Sequence, residues 1–144
     1  MLASRARPEP AAHGGPKRML RSAALLALVF GLVLGAAETA RNWGNWQWWP
    51  FWLVDFIAAG LLVAGASLTL RGRPGGGSLL CGAWGFTTAM FYMSFWSHIE
   101  HIAEPAEGNF DQVPLTITIG VLWGITLVGF GLSLAAAGRP RSAA

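Results

Sequence analysis

This chain is short of charge. Asp, Glu, Lys and Arg make up 12% of its 144 residues, against about 25% in an ordinary soluble domain, too few to coat a water-exposed globular surface. It has one cysteine, Cys81, so no intrachain disulfide can form. Cys81 stands among Gly82, Ala83 and Gly85, far from any histidine, and reads as packing rather than as a nucleophile. The sequence holds no Asn-x-Ser/Thr sequon, no Gly-x-Ser-x-Gly elbow and no His-Glu-x-x-His. It also lacks the helix-borne Glu-x-x-His pairs of di-iron bundles. The net charge is +3, but the basic residues are few, and no DNA- or RNA-reading motif accompanies them, which argues against a nucleic-acid partner.

What the chain has instead is apolar length. Hydrophobic residues make up 53% of it, and most fall in four stretches, Ser22–Ala40, Pro50–Leu70, Ser78–Ser97 and Val113–Ala137. A helix needs about 20 apolar residues to cross a bilayer core, and each stretch is near that length. The fold class expected is therefore all-α: a polytopic membrane protein built as an antiparallel bundle of four transmembrane helices, at about 22–40, 50–70, 78–101 and 113–137. A basic tail without fold (1–17) precedes this domain (18–138), and a short tail (139–144) follows it.

The distribution of Lys and Arg sets the orientation. Arg5, Arg7, Lys17, Arg18 and Arg21 precede the first span, Arg71 and Arg73 lie in the second loop, and Arg139 and Arg141 follow the last span. Four spans put these on one side, with Arg41 alone opposite, so both termini are expected in the cytoplasm. In a bacterial inner membrane, the expected location, the Arg41 side faces the periplasm. A rival reading takes Lys17 to Ala37 as a signal peptide with a small-residue cleavage site. An uncleaved first span keeps the helix count even and the charge rule intact.

Small residues suggest how the helices pack. Ala24, Ala27, Gly31, Gly35 and Glu38 share one face of the first span, and Ala58, Ala59, Leu62 and Ala66 lie on the face of Asp55 in the second. On the fourth, Thr116, Gly120, Gly124, Leu127, Gly131 and Ala135 line up. Gly31-xxx-Gly35 and Gly120-xxx-Gly124 are patterns that let membrane helices approach closely. The first outer loop is rich in tryptophan: Trp43, Trp46, Trp48, Trp49 and Trp52 are five of the eight in the chain. Indoles favour the headgroup layer, so this is an aromatic rim that anchors the turn or offers a stacking platform to a lipid, quinone or sugar ring.

The candidate chemistry lies on the same outer side. Asp55 is one to two turns inside its span, at a cost of about 2.5–3.5 kcal/mol by insertion scales. It is too short to snorkel well, so it calls for a partner, a proton or an ion. Glu38 sits near the interface, three residues before Arg41, where a local ion pair also accounts for it. His98 and His101 are spaced i, i+3 and share a face, continuing a polar stripe from Thr87 through Ser94 and Ser97. Asp55, Glu38, His98 and His101 together would offer two carboxylates and two imidazoles, a donor set suited to Zn, Mn, Fe or Cu. Haem between two helices is disfavoured within one subunit, because both outer histidines lie on one helix and His13 lies on the other side. The function expected is a non-enzymatic binding or accessory subunit with a ligand, metal or proton site on its outer half, associated with itself or with a larger membrane complex. The alternatives are a homo-oligomeric ion or solute transporter using Asp55, and a membrane-embedded metalloenzyme acting on lipid or quinone.

Overall fold

A computed structural model of the chain describes residues 15–44, 49–104 and 111–138. These residues form four α-helices and no strand: α1 Gly15–Asn42, α2 Trp49–Leu70, α3 Gly76–Glu100 and α4 Gln112–Ala137. Three of them, α1, α2 and α4, are long and apolar enough to cross a membrane. α3 is of similar length and carries no Asp, Glu, Lys or Arg before Glu100. Its hydroxyl and aromatic side chains, with Gly76 and Gly77 at its start, lower its mean hydropathy. α1 begins at Gly15, ahead of the expected span, because a helix satisfies its own backbone wherever it runs and Pro16 falls in the first turn, where its missing N–H breaks no bond. Of the expected N-terminal tail, residues 1–14 lie outside the described residues, as does the tail after Gly138.

Consecutive helices pack on one another, and α4 closes back onto α1. The α1–α2 contact is the small-residue seam expected from sequence. Ala24 and Ala27 of α1 and Ala58, Ala59, Leu62 and Ala66 of α2 are all buried. A Cβ at Gly31 would lie 3.0 Å from both the Ala59 carbonyl oxygen and Val63 Cγ2, whereas one at Gly35 would make ordinary contact with Ala59 Cβ at 3.9 Å. The turn from α2 to α3 runs through Gly72 and Gly75, at φ 64° and 78°, a left-handed conformation that glycine adopts without the strain a Cβ brings.

The centre of the molecule is Trp84 of α3, with no exposed surface. Its indole Nε1–H donates to the Ala23 carbonyl oxygen of α1 at 3.3 Å. Its ring meets Phe30 of α1 at 5.6 Å between centroids, and it lies against Gly129 of α4, where a Cβ would collide with the indole. Phe30 in turn meets Phe91 of α3 edge-on at 5.7 Å. Three buried hydroxyls are satisfied within their own helices: Thr87 donates to the Ala83 carbonyl, Thr126 to Trp123 and Ser133 to Gly129, whereas the buried hydroxyls of Thr69 and Thr88 and the indole N–H of Trp123 have no partner among the described residues.

On α4 the buried face is Thr116, Ile119, Thr126, Gly129 and Ser133, rotated from the small-residue row read in the sequence. Gly120 does pack against the Phe95 ring, where a Cβ would lie 2.9 Å from Phe95 Cε2, but Gly124 meets nothing within 4 Å, and Leu127 is 47% exposed. The large partners on α3, Trp84 and Phe95, decide which small residues of α4 are needed. Gly129→Ala is therefore expected to destabilise the protein by about 1–3 kcal/mol through overpacking, with Gly124→Ala within about 0.5 kcal/mol of wild type. Thermal unfolding in detergent checks both, and equal losses at the two positions would contradict this packing.

Candidate functional site

The C-terminal halves of α1 and α3 and the N-terminal half of α4 line a cavity of about 520 Å³ that Asp55 of α2 also borders. Its walls are apolar: Phe30 and Leu34 from α1, Met90 and Phe91 from α3, Leu115, Ile119 and Leu122 from α4. The polar groups on it are Glu38, Arg41, Asp55, Ser94, Asp111 and Thr118. A volume of this size with few polar groups fits small-molecule sites, which span about 300–1,000 Å³. Exposed Val33, Ala37 and Ala40 on α1 and exposed Pro114 and Thr118 on α4 line it as well, so it opens along the α1–α4 seam.

The two intramembrane carboxylates differ in their surroundings. Glu38 is buried and held by the last turn of its own helix. Arg41 Nη1 lies 3.5 Å from Glu38 Oε1, and Asn42 Nδ2 donates to Glu38 Oε2 at 2.8 Å and to the Glu38 carbonyl oxygen at 2.9 Å. The local ion pair expected at i, i+3 is present. Asp55 is half-buried, within electrostatic reach of Glu38 and Arg41, yet among the described residues it has no hydrogen bond or ion pair. Asp111, the N-cap residue of α4, is exposed and makes no side-chain cap bond.

The histidines do not join this group. His98 is half-buried, with Nδ1 2.8 Å from the Ser94 carbonyl oxygen, and its own carbonyl accepts from Gln112 Nε2 at 3.5 Å. His101 is exposed, with Nδ1 2.7 Å from the Ser97 carbonyl. A carbonyl only accepts, so each Nδ1 carries the hydrogen and Nε2 is the free nitrogen. Neither ring lines the cavity. Among the described residues, no three His, Cys, Asp or Glu side chains come together to hold a metal ion. The four-residue centre of Glu38, Asp55, His98 and His101 thus reduces to a carboxylate pair, because shared depth says nothing of the direction in which a side chain leaves its helix. At the C-terminal end of α3, His101 is held above the ordinary histidine value, first by its bond to the Ser97 carbonyl, then by the carboxylates of Glu104 and Glu100.

Of the tryptophan rim, Trp43 and Trp49 are 74% and 55% exposed, and Trp52 packs edge-on against Phe56 at 5.6 Å. Trp46 and Trp48 lie outside the described residues. Sequence reasoning missed Met90 and Phe91 as cavity walls and Asp111 as a mouth residue. Their signal is register: each falls at the depth of Glu38 or Asp55. A second cavity, of about 440 Å³, lies at the α2–α3 turn beside Leu20, Thr69, Arg73 and Ser78, and no carboxylate among the described residues lines it. Comparisons with protein-family models, curated proteins and solved structures found no match.

The surroundings of His101 predict a direction. Because Glu104 favours its protonated form, Glu104→Gln should move the His101 titration midpoint to lower pH in a side-chain NMR titration. A midpoint that stays put or rises would contradict the pairing.

Proposed function

We propose that this chain is a small integral membrane protein with four antiparallel spans and both termini in the cytoplasm of a bacterium, and that the cavity on its outer half binds an amphipathic molecule. It acts as a non-enzymatic binding or accessory subunit. Three long apolar helices support the membrane reading. α3 serves as the fourth span: it packs between α2 and α4 and is uncharged up to its outer end. The lopsided distribution of Lys and Arg supports the orientation.

One observation carries the binding reading: an apolar cavity of about 520 Å³ ends at Asp55, a carboxylate without a protein partner among the described residues. An apolar cavity wall beside a half-buried carboxylate gains most from an occupant that covers the one and pairs with the other. A molecule with an apolar body and a polar head does so. The opening at the α1–α4 seam gives access from the bilayer.

Filling the cavity tests this. Ser94 lines it from α3, and Ser94→Trp places an indole in the space. Native mass spectrometry of protein released gently from its membrane should find a bound amphiphile on wild type and a loss of roughly tenfold or more in occupancy for Ser94→Trp at unchanged helicity and melting temperature. Equal retention by both, or none by wild type, would sink the reading.

A further inference from the structure

We infer that the molecule this cavity takes is an organic cation, an ammonium or similarly diffuse positive charge on an apolar body. The inference rests on the binding reading above and adds the sign and kind of the head. Among the described residues, three carboxylates border the cavity, Glu38, Asp55 and Asp111, against one guanidinium, Arg41. Arg41 is already committed to Glu38 at 3.5 Å, and Asn42 donates to the same carboxylate. Asp55 and Asp111 remain in excess, and neither is used by a helix cap or a protein donor among the described residues. Asp111 is exposed, but Asp55 is half-buried beside apolar walls, where charge is screened less than in open water, so a positive head gains more beside Asp55 than at an open surface.

The kind of cation follows from the rest of the lining. A small metal ion asks for several oxygen or nitrogen donors at once, and no three His, Cys, Asp or Glu side chains among the described residues converge. It would also leave most of about 520 Å³ unfilled. An organic cation uses the whole site: its body fits the space between Leu34, Met90 and Ile119, and Phe30 and Phe91 in the wall add the aromatic surface that a diffuse positive charge favours. An anionic amphiphile would meet Asp55 and Asp111 with Arg41 engaged elsewhere. The same ammonium chemistry is available from a freely diffusing amphipathic amine and from the headgroup of an aminophospholipid.

The test uses tetraphenylphosphonium and tetraphenylborate, which share shape and apolar surface and differ in sign, titrated by equilibrium dialysis against the full chain in the uncharged detergent dodecyl maltoside. The cation should bind saturably at one site per chain and the anion at least roughly tenfold more weakly. Asp55→Asn should weaken the cation roughly tenfold or more, and Arg41→Gln, which removes the neutralising charge, should strengthen it. A rise in affinity cannot come from misfolding, so the second variant keeps the test sharp if the first is unstable. Equal binding of the two ions, or a cation affinity indifferent to both variants, would overturn the charge assignment and leave the cavity reading standing. Failure of both ions to bind would overturn both. Competition by phosphatidylethanolamine but not phosphatidylglycerol would assign the site to a lipid amine, and indifference to both lipids alongside cation binding would assign it to a free one.

Discussion

The hydrogen bond from Trp84 to the Ala23 carbonyl is the contact on which the rest of the structure depends. An indole N–H buried in an apolar surround needs an acceptor, and a backbone carbonyl already used in a helix has a second lone pair to give. That bond fixes α3 against α1 at one height and one rotation. The ring then requires a residue without a side chain on α4, supplied by Gly129, and an aromatic neighbour on α1, supplied by Phe30. Lipid gives little hydrophobic drive for helices to associate, so close contacts of this kind must hold them together.

The cavity follows from the same contact. Phe30 and Phe91 rest above Trp84 and form the floor. Farther out, no comparably large side chain among the described residues spans the middle of α1, α3 and α4. Phe95 is drawn instead to Gly120 and stacks on Trp123 at 5.6 Å, filling the α3–α4 seam rather than the centre. The space left over is closed on the α2 side by Asp55. Glu38 and Asp55 reach it together because both lie on the small faces that make the α1–α2 seam. Their roles diverge because Arg41 and Asn42 follow Glu38 within one turn, while only apolar residues surround Asp55 on α2.

Much of this was legible in the sequence, for physical reasons that also mark where legibility ended. Chain-local patterns read well: helix positions, the Ala-Gly seam of α1 and α2, and the Glu38–Arg41 pair all depend on residues within a few turns of each other. The buried face of α4 did not. Inside a membrane both faces of a helix are apolar, so periodicity cannot separate them, and Gly124 looks as good a packing residue as Gly129 until Trp84 is known to need one. The direction of the His98 and His101 rings was not legible either. They share depth with Asp55, but the rotation of α3 that seats Trp84 turns them out of the cavity, and their Nδ1 atoms bond to their own helix.

If Asp55 and Ser94 face one cavity that opens on the side opposite the basic residues, solvent access to the two positions must be shared. Single cysteines there, in a Cys81→Ala background, can be exposed to a membrane-impermeant thiol reagent from either side of sealed membranes. Asp55→Cys and Ser94→Cys should both react from the outer side, and tetraphenylphosphonium should protect Ser94→Cys, which keeps the Asp55 carboxylate, while Leu62→Cys, buried at the α1–α2 seam, should react from neither. Reaction of either cavity position from the cytoplasmic side, or Ser94→Cys left unprotected by tetraphenylphosphonium, would contradict a shared outward-facing cavity.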